Sequence, residues 1–193
     1  QVARAYTVMG VEHILGGVDH LLFVLGLLLL VRGAWLLVKT ITAFTVAHSF
    51  TLAAATLGWV HVPQPPVEAV IALSILFLAS ELAKRNAGPA GLMERFPWIV
   101  AFIFGLLHGF GFAGALRQVG LPESDIPLAL FTFNLGVEIG QLAFVGAMLG
   151  LFALVKRINL TASLERYLRP AAPYAIGTLA SFWFLERMAG FWA

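Results

Sequence analysis

Residues 10–30 read GVEHILGGVDHLLFVLGLLLL, and this stretch decides the fold. Its second half, Leu21 to Leu30, carries no polar side chain, while its first half carries Glu12, His13, Asp19 and His20. A helix that crosses a bilayer needs about 20 mostly apolar residues, and the apolar run over 7–31 has that length. An ionisable side chain at mid-bilayer costs about 2.5–3.5 kcal/mol on insertion scales, so such groups pair with one another or do work. The leucine-rich half supplies the apolar content that offsets that cost.

The rest of the chain repeats the pattern. Of its 193 residues 60% are hydrophobic and 11% charged, with a mean hydropathy of +0.91. A soluble domain carries about 25% charged residues, so this composition points to lipid as the main solvent. Five further apolar stretches cover 38–58, 67–83, 97–116, 127–155 and 170–188. Pro63, Pro65 and Pro66 punctuate the chain between the second and third, and Pro122 and Pro127 between the fourth and fifth; proline lacks the helical N–H donor and presets a first turn. The expectation is one all-α domain, a polytopic transmembrane bundle of about six spans. Residues 157–169, with Leu160, Leu164 and Leu168 among polar neighbours, suit a short interfacial helix or a loop. A net charge of +2, spread in short clusters, excludes a nucleic-acid partner.

Nine of the twelve Lys and Arg residues fall in the 1–2, 3–4 and 5–6 connections: Arg32, Lys39, Lys84, Arg85, Arg95, Lys156, Arg157, Arg166 and Arg169. Basic residues concentrate on the cytoplasmic side, so both termini are expected outside. The first residue is Gln rather than Met, which fits a removed leader segment.

The polar residues inside the apolar stretches are spaced to converge. His13 and His20 lie seven apart, two turns along one face, and Glu12 and Asp19 repeat the spacing. Gly16 and Gly17 between them leave room for a close neighbour. The second stretch carries His48 and Ser49, and the fourth carries His108. The fifth carries Asn134, Glu138 and Gln141 at i, i+4 and i+7, again one face. Gly105 with Gly109, and Gly136 with Gly140, are small-xxx-small pairs suited to helix packing. A hydrogen-bonded polar seam explains one buried histidine well and this set poorly. His61, in the turn before Pro63, reads as an ordinary surface residue. With no cysteine in the chain, a thiolate site is excluded. Imidazole suits Zn, Ni, Cu and Fe, whereas Mg and Ca prefer oxygen shells. The expected ligand is a divalent transition metal (Ni, Co, Zn or Cu), held by His13, Asp19, His20, His48 and His108. Glu12, Ser49, Asn134, Glu138 and Gln141 stand as supporting groups.

These motifs resemble the HupE/UreJ family of membrane proteins. The resemblance rests on Glu12-His13-x5-Asp19-His20, on Phe44-Thr-x-Ala47-His48-Ser49, on His108-Gly-x-Gly111-Phe-Ala113 and on Phe133-Asn134-x-Gly136-x-Glu138-x-Gly140-Gln141. It implies a bacterial inner-membrane protein of the kind found with hydrogenase and urease accessory functions, some members being nickel or cobalt permeases. It carries His13, Asp19 and His20 over as metal-handling residues. Ile14 follows the first histidine where the hydrogenase branch has proline, so the chain looks closer to the second, less characterised branch.

Three functions fit the residues. A permease needs a route as well as a site, and past His20 the first stretch offers no ligand and the fifth only Gln141 and Met148; the second, with Thr40, Thr42 and Thr45, is the one that could line a polar exit. An intramembrane zinc-dependent hydrolase would use three histidines with an open position for water, Asp19, Glu12 or Glu138 as base, and Ser49 nearby. A non-catalytic metal-binding subunit, in a homo-oligomer or a larger membrane complex, is the third. The permease is the expectation taken forward.

Overall fold

The computed structural model describes residues 1–85, 90–112, 125–157 and 161–191, with residues 161–170 described as backbone alone. Among the described residues the helices are α1 (Val2–Gly16), α2 (Val18–Leu30), α3 (Ala34–Thr56), α4 (Gln64–Lys84), α5 (Leu92–Arg95), α6 (Pro97–His108), α7 (Ile126–Arg157) and α8 (Thr161–Ala189), and a 3-10 turn follows α6 at Gly109–Gly111. No strand occurs among the described residues, and the all-α expectation holds.

Helices α3, α4 and α7 are long and apolar enough to cross a bilayer, and α1 with α2 makes a fourth crossing if the bent pair counts as one span. The remaining two expected spans take other forms. α6 has 12 residues and rises about 18 Å, short of a hydrocarbon core of about 30 Å. The end of its expected span, 113–116, lies outside the described residues, as do Ala113 of the motif, Pro122 and Arg117. α8 contains the stretch 170–188 but is already helical from Thr161, so residues 161–169 of the expected interfacial helix or loop belong to it, while 158–160 lie outside the described residues.

The helices pack as three close pairs, α1 on α7, α3 on α6 and α4 on α8. Glycine sets the first two contacts. A Cβ at Gly10 would run into the Phe133 carbonyl, and one at Gly136 into the Thr7 carbonyl, so the α1 and α7 backbones touch directly. Gly105 of α6 and Gly109 of the 3-10 turn meet the Phe44 and His48 carbonyls of α3 in the same way. Where no hydrophobic force separates helix from lipid, such small-residue seams hold helices together by close contact.

The side chains are arranged inside-out relative to a soluble bundle. Leu128, Phe131, Leu135 and Ile139 of α7 are exposed, while Asn134 and Gln141 on the opposite face are buried with Thr45, His48, Ser74 and His108. An apolar outer face over a polar interior is the arrangement lipid demands. Among the described residues two apolar clusters fill the interior. One contains Phe23, Leu27, Leu30, Phe44, Leu78 and Met93; the other contains Tyr6, Ile14, Leu52, Phe133 and Val137. The histidines lie between them. Arg85 bridges to Glu94 at 3.4 Å and also donates to the Leu29 carbonyl, and Lys39 lies 4.5 Å above the Trp98 ring. These contacts gather basic residues at the end of the bundle where α2 and α4 finish and α6 begins.

Candidate metal centre

Three of the four candidate histidines sit at helix ends. His13 is in the last turn of α1, and His20 lies in the first turns of α2. Between them Gly17 takes extended angles (φ −88, ψ 97), and the two helix axes bend by 75°. On a straight helix two residues seven apart are separated by about 10.5 Å of rise. The bend instead brings the two imidazole centroids to 4.6 Å. A side chain at position 17 would block this, since a Cβ there lies 2.7 Å from His20 Nδ1 and 2.9 Å from the His13 carbonyl oxygen. His108 is the final residue of α6, and the Gly105–Gly109 seam lays that helix end against α3, which carries His48 in mid-helix.

The four rings converge. His13 lies 6.3 Å from His48 and His20 lies 5.6 Å from His108, centroid to centroid. One ligating atom each from His13, His20 and His48 lies within 4.8 Å of the others. Around one ion with bonds of about 2.0–2.1 Å, ligand atoms stand at most about 4.2 Å apart, so small ring rotations close the set.

Hydrogen bonds fix which nitrogens are bare. The Ser74 hydroxyl donates to the Ile71 carbonyl at 2.7 Å and so accepts from His108 Nε2 at 2.9 Å. That leaves the His108 Nδ1 lone pair free. Asn134 Nδ2 donates to the Leu130 carbonyl at 2.8 Å, which turns its Oδ1 toward His48 Nδ1 at 3.1 Å. An amide oxygen only accepts, so the His48 proton sits on Nδ1 and Nε2 is bare. The buried atoms without a hydrogen-bond partner among the described residues include His13 Nε2, His20 Nε2, His48 Nε2 and His108 Nδ1. A buried polar atom left unpaired costs about 1–3 kcal/mol. His13, His20 and His48 bring their ligating atoms together and fit a Lewis acid, while His108 stands beside His20 outside that set of three. Asn134 is the outer partner that would orient a metal-bound His48, and Ser74 holds His108.

A cavity of about 520 Å³ reaches this cluster, lined by Glu12, His13, Asp19, His20, Glu68, Ile71, His108, Phe112 and Arg187 among others. Its carboxylates do not join the histidines. Asp19 accepts from Arg187 Nη2 at 2.6 Å, and Glu12 is exposed at the wall. On the other side of the cluster Phe23 packs 5.0 Å from Phe44 and 5.9 Å from Phe104. Asn134, Glu138 and Gln141 all turn toward α3, and the latter two meet hydroxyls. Thr42 Oγ1 donates to Glu138 at 2.6 Å and Thr45 Oγ1 to Gln141 at 2.9 Å. Ser49 donates back to the Thr45 carbonyl at 2.7 Å, a bond within its own helix. His61 is exposed in the connection before α4.

Ser74, Glu68 and Arg187 belong to this site and carry no clear signal in the chain. Ser74 is a single hydroxyl in an apolar helix, and Arg187 stands 168 residues from its partner Asp19.

A family model described as HupE / UreJ protein matches residues 1–187. The chain belongs to the HupE/UreJ family. No curated protein and no solved structure matches it. Within a HupE/UreJ chain of apolar helices, the histidine cluster is a candidate transition-metal centre.

Proposed function

We propose that this HupE/UreJ protein is a divalent transition-metal permease of the nickel or cobalt type, with His13, His20, His48 and His108 as its binding site and the metal as its cargo. The observation that carries the reading is the seating of three of these imidazoles, His13, His20 and His108, at helix ends, with His48 facing them from an unbroken helix. Transporter sites are typically formed by discontinuous helices near the bilayer midplane. Irregular backbone at that depth survives where protein or a water-filled cavity covers it. Here the α1–α2 bend and the end of α6 meet at the foot of a cavity. The cavity opens at the end of the bundle opposite Arg32, Lys84, Arg85 and Arg95. By the positive-inside rule that end faces out, with Glu12 and Glu68 at the mouth to attract a cation. Passage inward requires the Phe23, Phe44 and Phe104 rings to part.

That closed floor favours a second reading, an intramembrane metallohydrolase. A metal on three histidines with a fourth position open to water, beside a cavity with room for an organic substrate, would need no path through the membrane. Ser49, tied to its own helix, would take no direct part.

Uptake of radiolabelled nickel or cobalt into sealed proteoliposomes separates the readings. The permease accumulates metal over time above protein-free vesicles, and His20→Ala abolishes that accumulation. Stoichiometric metal on the purified protein with no uptake of Ni, Co, Zn or Cu would overturn the permease and leave the hydrolase or a non-catalytic subunit.

A further inference from the structure

We propose that Arg187 sets the metal preference of the histidine centre by holding Asp19 out of it. The proposal rests on the metal-site reading above. Asp19 directly precedes His20 in the chain, and its side chain lines the same cavity as His13, His20 and His108. Glu12 precedes His13 in the same way but is exposed at the wall, so Asp19 is the less exposed of the two carboxylates beside the histidines. Its Oδ2 is taken by Arg187 Nη2 at 2.6 Å, with both side chains about one-fifth exposed (20% and 19%).

Arg187 is itself held in place. Its Nη1 donates to the Glu68 carbonyl at 2.8 Å, and its Nε stands 3.9 Å from Glu68 Oε2. Its guanidinium lies 5.9 Å from the centroid of the Trp183 ring on the same helix. A planar guanidinium engaged at several nitrogens is a rigid clamp, and this one ties α8 to α2 and α4 beside the site.

The consequence is chemical. With Asp19 clamped and Glu12 and Glu68 exposed at the mouth, the donors at the cluster itself are imidazole nitrogens, which suit Ni, Co, Cu and Zn. A carboxylate entering the shell would move the preference toward Mn. Releasing Asp19 also adds one negative charge near the site. That charge alone strengthens binding of every divalent ion alike, so the ratio of affinities separates ligation from attraction.

The test measures Mn²⁺ and Ni²⁺ affinities of the detergent-solubilised full chain by competition with a fluorescent chelator. Wild type, Arg187→Gln and the double variant Arg187→Gln/Asp19→Asn are compared. Outer-sphere partners of metal sites shift affinity by about 10–100-fold. We expect Arg187→Gln to raise Mn²⁺ affinity relative to Ni²⁺ by at least about tenfold on that scale, and the double variant to return to the wild-type ratio. Should Arg187→Gln fail to fold, Arg187→Met, which keeps an unbranched stem, carries the same expectation. An unchanged ratio in the Arg187 variant, or the same shift with Asp19 already removed, overturns the proposal while a nickel-binding wild type leaves the metal site standing. A wild type that binds neither ion overturns both.

Discussion

His20→Ala is expected to lower transition-metal affinity by more than about a hundredfold. Loss of an outer-sphere partner already costs about 10–100-fold, and His20 is more central than that. Its ring stands 4.6 Å from His13 and 5.6 Å from His108, and its ligating atom belongs to the three that lie within 4.8 Å of one another. Without it only His13 and His48 remain of that set of three. The metal-free protein should tolerate the change, because His20 Nε2 has no hydrogen-bond partner to forfeit. The difference appears on adding metal. A ligand at a hundred times its Kd stabilises the folded state by about 2.7 kcal/mol. Nickel should therefore raise the thermal midpoint of wild type and leave that of His20→Ala unmoved. A variant that keeps wild-type affinity and thermal shift would show that His20 is not a ligand.

Gly136→Val is expected to lose both stability and metal. The α1–α7 seam has backbone against backbone, and a Cβ at Gly136 has the Thr7 carbonyl in its way. No side chain can rotate aside there, so the helices must separate. Overpacking of this kind costs about 1–3 kcal/mol and sometimes more, and a contact with rigid helical backbone belongs at the upper end. α1 also carries His13, so displacing it opens the histidine cluster. Gly146 and Gly150 on the same helix give the control, since a Cβ at either meets nothing within 4 Å. Gly146→Ala should be neutral or stabilising by up to about 1 kcal/mol, the helix-propensity difference. Thermal unfolding of the three proteins in detergent, with nickel binding alongside, measures both effects. Equal midpoints for Gly136→Val and wild type would remove the argument for the seam.

Much of this was legible in the residues, for a physical reason. Ionisable groups are so costly in lipid that their presence at His13, His20, His48 and His108 marks positions that face one another. Asn134, Glu138 and Gln141 share a helical face by spacing alone, and in the fold all three turn toward α3. The small-xxx-small pairs likewise read correctly as packing seams. What the sequence hid was geometry within apolar runs. Hydropathy over 7–31 is continuous whether the helix is straight or bent by 75°. Gly16 and Gly17 read as room for a neighbour, whereas Gly17 is the break itself. The fourth stretch is apolar well past the point where α6 ends at His108, since a helix can stop inside an apolar run if its end is covered. The pairing of Asp19 with Arg187 joins the two ends of the chain, and no local pattern reports a contact of that kind. Arg187 thus read as a topology marker, and Asp19 as a ligand.

The central claim is that imidazoles from the α1–α2 bend, α3 and α6 hold one transition-metal ion. X-ray absorption at the nickel edge, on purified protein carrying one equivalent of metal, tests it most directly because it reports the ligand atoms themselves. The account predicts a first shell dominated by nitrogen, with the outer-shell scattering of at least three imidazoles, and loss of one imidazole contribution or of the metal in His20→Ala. An oxygen-dominated shell without imidazole scattering would contradict it.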